Sequence, residues 1–251
     1  MAASISLVIP AYNADRYIAE VIDRIPPAVW RNLGTAWIVN DGSTDLTGAT
    51  VESLARRHEG IHPVHFSERR GYGTAVSAGL RLCRDEGCDF AACLHADGQY
   101  PPEAIPEFVA AMVARRVNLM QGSRIASGTA LSGGMPLYKF VAGRLLSALE
   151  NRCFRLRMTD YHSGFMVYDR ACLVALPLHR MSGSFDFDLE VIASARSQGL
   201  SVAELPIPTR YAGEVSYLKP ITYGLRVLWV LAKYKAGYYK KSEQRIMKIE
   251  K

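Results

Sequence analysis

Short apolar runs alternate along the first half of the chain with stretches whose apolar residues recur every three or four positions. The runs predict strands over residues 5–9, 36–39, 61–66, 89–94 and 119–122. The periodic stretches predict helices over 15–25, 45–57, 74–85 and 103–115, the first stopped by Pro26-Pro27. This alternation predicts an α/β fold with a mostly parallel central sheet and helices on both faces. Ligands of such sheets sit at the carboxyl ends of the strands. The polar signals lie at those ends: P-A-Y-N at 10–13, N-D-G-S at 40–43, H-A-D-G-Q at 95–99 and G-S-R at 122–124.

The second half is less regular. Residues 125–135, rich in Gly and Ser, have no periodic face and read as a mobile loop. Residues 136–154 and 187–197 read as helices, and 164–168 and 202–211 as extended. Residues 220–239 read as a helix in which Leu, Val, Trp and Tyr interleave with basic residues, before a charged tail. No linker divides the chain. The expected organisation is one catalytic domain over 1–218, with an amphipathic helix and basic tail over 219–251 that do not form an independent domain.

Composition narrows the field. With 251 residues and 49% hydrophobic content, the chain can bury a substantial core. Its net charge of +6 suits phosphate-bearing ligands, nucleic acid or an anionic membrane, and solubility alone also explains it. No arrayed basic helix or aromatic sheet motif supports a nucleic-acid partner. Five cysteines without a C-x-x-C pair argue against a disulfide scaffold or zinc knuckle and fit a reduced cytoplasmic compartment. The N-terminus has no signal-peptide pattern, and no window of about 18 residues is apolar enough to span a membrane.

Several residues carry candidate chemistry. Asp97, on a turn after a strand, can hold a divalent cation that neutralises a diphosphate leaving group, with Gln99 supplying a carbonyl oxygen. An Asx-turn or a helix cap is the alternative. His95 beside it is either a ligand or a packed histidine, and His162 is equally open. Asp41, with Asn40, either shapes a turn or accepts a hydrogen bond from a base or ribose. Gly71 and Gly73 either cradle a phosphate at a helix start or permit a tight turn. Arg124 and Arg210 suit bidentate phosphate contacts. Asp186, Asp188 and Glu190 either supply a general base for a hydroxyl nucleophile or complement a helix start.

Together, in order, these segments resemble family 2 glycosyltransferases of the dolichol- and polyprenyl-phosphate mannose or glucose synthase type. P-A-Y-N-A, V-N-D-G-S-T-D, R-R-G-Y-G-T-A, H-A-D-G-Q-Y-P-P-E, G-S-R and H-S-G-F carry the resemblance, which runs from about residue 5 to residue 223. It implies a glycosyltransferase A fold, a UDP- or GDP-sugar donor, Mg²⁺ or Mn²⁺, and inversion at the anomeric carbon. It implies that Pro10, Tyr12, Asn13, Asp41, Gly71, Gly73 and Ala96 surround the nucleotide. Asp97, Gln99 and His95 then face the metal, and Arg124 and Arg210 contact phosphates. The chain departs from the pattern at His95, where relatives place an acid, at Ala14, and at the displaced Lys219.

The acceptor follows as polyprenyl phosphate or, alternatively, a soluble hydroxyl or small phosphate. A non-catalytic nucleotide-sugar sensor ranks lower. A phosphate acceptor needs no protein base, whereas a hydroxyl makes Asp186 or Asp188 essential. Helix 220–239 either lies on an anionic membrane surface, placing the protein peripherally on the inner face, or packs on the core or a second subunit of a homo-oligomer.

Overall fold

The computed structural model describes residues 3–208 and 220–240. Seven strands form one sheet: β1 (Ile5–Ala11), β2 (Leu33–Asn40), β3 (Ile61–His65), β4 (Phe90–Cys93), β5 (Leu119–Ser123), β6 (Met166–Asp169) and β7 (Val202–Pro206). Their spatial order is β3-β2-β1-β4-β6-β5-β7. All pairings are parallel except those of β6, which runs antiparallel to β4 and β5. The mostly parallel sheet expected from the alternation is therefore present, with one reversed strand. The reversal places the residues entering β6 beside the carboxyl ends of β4 and β5.

Nine α-helices of the described residues cover the sheet: α1 (Ile18–Asp23), α2 (Pro27–Arg31), α3 (Thr47–Arg57), α4 (Tyr72–Glu86), α5 (Ile105–Arg115), α6 (Leu137–Phe154), α7 (Arg170–Ala175), α8 (Phe187–Ser197) and α9 (Pro220–Lys235). Strands buried on both faces need continuous apolar sequence, and β1 and β4 supply it. Leu7 and Ile9 of β1 pack with α1, α2, α3 and α5. Val8 faces the other side, where α4, α7, α8 and α9 bury theirs.

The differences from the periodicity have local causes. Pro26-Pro27 ends no long helix: α1 is six residues, and Pro27 opens α2 at the first-turn position where its missing N–H costs nothing. Strand β2 begins at Leu33, which pairs with Ile5 of β1; the register shifts before Ala36 pairs with Leu7, and Gly34 and Thr35 in between carry no apolar signal. Helix α7 is a single capped segment, Asp169 accepting from the Cys172 N–H at 2.7 Å, too short to show a period. Residues 125–135 form successive hydrogen-bonded turns with Ala130 and Met135 buried. Helix α9 stops at Lys235, ahead of the positive-φ Gly237 (φ 75°). The expected boundary at 218/219 and the tail from residue 241 lie outside the described residues.

Candidate functional site

A cleft of about 720 Å³ opens along the carboxyl ends of β1, β2, β4 and β5. One wall carries Pro10, Tyr12 and Asn13 after β1, and Asp41 after β2. Arg69 lies over the Tyr12 ring at 4.1 Å. Asn13 adopts a positive φ of 50°, which asparagine tolerates better than most residues. Its side-chain oxygen accepts from the Thr44 N–H at 2.9 Å, locking the β1 and β2 turns together. Asp41 accepts from the backbone N–H groups of Arg70 (2.6 Å) and Gly71 (2.9 Å). Its carboxylate thus shapes the turn before α4 while also facing the cleft.

Gly71 and Gly73 do not line the cleft. Gly71 has φ 99°, and a Cβ there would sit 2.4 Å from the Gly183 carbonyl oxygen; at Gly73 it would sit 2.2 Å from that of Ser182. The two glycines let α4 start against the 182–184 segment, the turn alternative rather than a phosphate cradle. Between them, Tyr72 does reach the cleft.

The floor follows β4. His95, Ala96, Asp97, Gln99 and Tyr100 all line the cleft. Asp97 accepts from the Gln99 N–H at 3.1 Å, an Asx-turn that fixes the carboxyl on the cleft side. The Tyr72 hydroxyl donates to Asp188 Oδ2 at 2.9 Å and lies 3.0 Å from His95 Nε2. With Tyr72 donating, His95 is left to donate its Nε2–H, so that nitrogen is not offered to a cation. Burial lowers the His95 pKa, with Asp97 opposing the shift. Gly164 makes this cluster possible: a Cβ there would stand 2.4 Å from His95 Nε2.

Mg²⁺ and Mn²⁺ prefer oxygen ligands, and Mg²⁺ is commonly held by one or two carboxylates plus substrate phosphates. Asp97 with the Gln99 carbonyl fits that donor set. No cluster of three His, Cys, Asp or Glu suited to a metal occurs among the described residues.

The far wall comes from β5, the residues before β6, and three helices. Arg124 pairs with Asp160 at 3.1 Å and donates to the His162 carbonyl at 2.9 Å. Burial raises the Asp160 carboxyl, but Arg124 and His162 outweigh it and hold the pKa below the usual value. Glu204 on β7 accepts from the Thr159 N–H (2.8 Å) and anchors this segment. Asp188 on α8 is buried; burial foremost pushes its pKa up to about 7, and its Oδ1 has no hydrogen-bond partner among the described residues. Lys139 and Ser147 of α6 and Tyr223 of α9 complete the wall.

Asp186 stands apart from the cleft. It pairs with Arg226 of α9 at 2.9 Å and accepts from Ser182 Oγ at 2.8 Å. Glu190 likewise binds Lys233 and the Tyr239 hydroxyl (2.7 Å). These acids fasten α9 to α8, and of the acidic trio only Asp188 faces ligand space. Arg210 lies outside the described residues. Arg69, beside the glycine turn, was legible as a cation favouring an anion, whereas Tyr72, Lys139, Asp160 and Tyr223 carried no chemistry of their own in the sequence. The usable signals were the tyrosine inside G-Y-G and the acid that opens D-Y-H-S-G-F.

A mostly parallel sheet with polar strand ends, a carboxylate turn after the fourth strand and a far wall that sets Arg124 and Lys139 beside Asp160 and Asp188 defines an α/β ligand-binding protein with a polar cleft. Residues 6–175 match Glycosyl transferase family 2, and the chain belongs to that family. It is similar to the UDP-N-acetylglucosamine–dolichyl-phosphate N-acetylglucosaminyltransferase of Methanococcus voltae, 26% identical over 219 residues that span 82% of this chain and 86% of the relative. The undecaprenyl-phosphate mannosyltransferase of Micrococcus luteus is 27% identical over 203 residues, 80% and 81% of the two chains. Among solved structures, glucosyl-3-phosphoglycerate synthase from Mycobacterium tuberculosis in complex with phosphoglyceric acid has a TM-score of 0.68 at 21% identity, covering 96% of this chain and 81% of that one. The same enzyme with Mn²⁺, UDP and phosphoglyceric acid gives 0.67 at 19%. These likenesses establish the glycosyltransferase A type of fold.

Proposed function

We propose that the protein is an inverting glycosyltransferase that moves a sugar from a nucleotide-sugar donor to a polyprenyl phosphate. The observation that carries the acceptor is an apolar and basic face beside the far wall. On α6, Leu137, Tyr138, Val141, Leu145 and Leu149 are exposed; on α9, Ile221, Leu225, Leu228 and Trp229 are. Leu145 is 70% and Trp229 63% exposed. Besides Arg226 and Lys233, which pair with the acids of α8, the two helices carry Lys139, Arg144, Arg152 and Lys235, and their one acid, Glu150, is buried. Apolar residues interleaved with cations suit the surface of an anionic bilayer. No described helix is long and apolar enough to cross a membrane. The names of the relatives point to the same acceptor class.

In this reading the nucleotide lies against Pro10, Tyr12, Asn13 and Asp41, and its diphosphate faces Asp97 and Gln99. A divalent cation at Asp97 supplies neutralisation of the leaving diphosphate. Arg124 and Lys139 hold the acceptor phosphate behind the anomeric carbon. The acceptor oxygen forms a bond to that carbon as the bond to the diphosphate breaks, with the electron pair leaving on the diphosphate. The nucleophile is already an anion, so no protein base is required. Asp188, about half protonated at neutral pH, fits a hydrogen-bonding role toward the sugar through Oδ1, which is buried and unpaired among the described residues.

The test is sugar transfer from UDP- and GDP-sugars to a short-chain prenyl phosphate, to phosphoglyceric acid and to free sugars, with Mg²⁺, Mn²⁺ or EDTA. Expected is transfer to the prenyl phosphate alone, lost with EDTA and reduced about a hundredfold or more in Asp97→Asn. Transfer to a soluble acceptor without the prenyl phosphate overturns the reading. Nucleotide-sugar binding with no transfer leaves a sensor.

A further inference from the structure

At the acceptor end of the cleft the fold buries a carboxyl that it does not satisfy. Glu150, on α6, has no solvent exposure. Neither of its oxygens has a hydrogen-bond partner among the described residues, and neither has Nε2 of His162, 3.6 Å away. On the opposite edge of the imidazole, Nδ1 lies 2.9 Å from the Tyr223 hydroxyl. His162 and Tyr223 both line the cleft. Three side chains from α6, the segment before β6 and α9 therefore stand in a row from a buried acid to the cleft wall. A buried carboxyl with neither oxygen hydrogen-bonded is costly to the fold and calls for an explanation.

The charged groups facing this row are Asp160 beside His162, Arg124 past β5, and Asp188 on α8. Burial, and then Asp160, push the Glu150 carboxyl up to about 9, so at neutral pH it is a proton-bearing acid. Burial pushes His162 down to about 4, leaving a neutral ring. At 3.6 Å the acid and Nε2 are in line but not hydrogen-bonded; for the ring to accept from the acid once that gap closes, Nε2 must be bare and the ring's own proton must sit on Nδ1. Nδ1–H then donates to the Tyr223 oxygen and leaves the phenolic proton free to point into the cleft.

We propose that Glu150, His162 and Tyr223 form a proton-sharing relay whose outer end, the Tyr223 hydroxyl, donates a hydrogen bond to an anionic oxygen of the acceptor phosphate. The proposal rests on the phosphate-acceptor reading above. When the anion arrives, the O–H bond of Glu150 breaks as an N–H bond forms at His162 Nε2, and the electron pair stays on the carboxylate. The proton shift itself leaves the summed charge of Glu150 and His162 at zero. The new imidazolium is the nearer partner of the anion and the carboxylate the farther one, so the anion favours the shift. Glu150 is a positioning residue that acts through His162, and Tyr223 is the group that touches substrate. Because Tyr223 sits on α9, the helix of the apolar face also delivers the hydrogen bond.

The test follows His162 by ¹⁵N NMR in the full chain labelled at its six histidines, with His162→Gln used for assignment. Titrants are a short-chain prenyl phosphate and, separately, inorganic phosphate. Expected in the free protein is the neutral Nδ1–H form, and at saturation with prenyl phosphate the imidazolium form; inorganic phosphate giving the same change shows that the phosphate group alone suffices. Glu150→Gln abolishes the change. Glu150→Gln and Tyr223→Phe each raise the acceptor KM about tenfold while the donor KM stays unaltered. A wild-type protein that transfers sugar to prenyl phosphate with His162 still neutral sinks the relay and leaves the acceptor reading standing. A wild-type protein that does not use prenyl phosphate sinks both.

Discussion

Gly73 lies where α4 meets the segment that leads into α8, and its missing side chain sets how closely the two approach. A Cβ at this position would overlap the Ser182 carbonyl oxygen, a backbone atom that cannot swing aside. Gly73→Ala is expected to cost about 1–3 kcal/mol, read as a lowered denaturation midpoint with an unchanged m-value. A midpoint within error of wild type would remove the close-approach role. The G-Y-G sequence did not distinguish this role from a phosphate cradle, because both need a glycine after a strand. What separates them is the identity of the neighbour, here a carbonyl contributed from over a hundred residues away. Asp97 was more legible, since its turn is local and its two readings coexist: the Asx-turn is what aims the carboxyl at the cleft.

Helices α6 and α9 expose apolar side chains that a folded interior normally takes up, and both flank the far wall of the cleft. Replacing Leu145 and Trp229 together by Asp is expected to weaken co-sedimentation with anionic vesicles at least about tenfold, with turnover of a short-chain soluble prenyl phosphate retained. Undiminished vesicle binding would assign the face to another partner. The periodicity of residues 220–239 marked α9 as amphipathic. It could not show that Asp186 and Glu190 hold it by Arg226 and Lys233, since those pairings cross from one helix to another. The acidic trio reads either as a source of a base or as a complement to a helix start; two of its members are fasteners. The first-half elements were legible because each buried strand needs an unbroken apolar run. Helix α7 and the reversal of β6 were not, because one is too short to show a period and the direction of the other, itself legible as an extended segment, is set by its neighbours.

Across the whole molecule, stability is expected to fall as pH rises from about 7 to 9. Glu150 has a folded-state pKa raised to about 9 from the ordinary 4.5. The folded state therefore binds one more proton than the unfolded state through this window, and the stabilisation present at low pH is lost as pH climbs toward 9. The slope approaches about 1.4 kcal/mol per pH unit for one proton. Asp188 acts in the same direction but levels off near 7, and His162, lowered to about 4, acts below neutrality. Denaturation midpoints of wild type and Glu150→Gln between pH 7 and 9 check this: the variant curve should be flatter, and parallel curves would refute a buried neutral acid.

All five cysteines are buried, in a chain with no others. The folded surface is consequently silent to thiol-directed reagents, and a single cysteine introduced on α9, for example Leu228→Cys, becomes a unique attachment point for a fluorophore. The depth and orientation of that helix against a lipid surface can then be read by quenching, with every native thiol left in place.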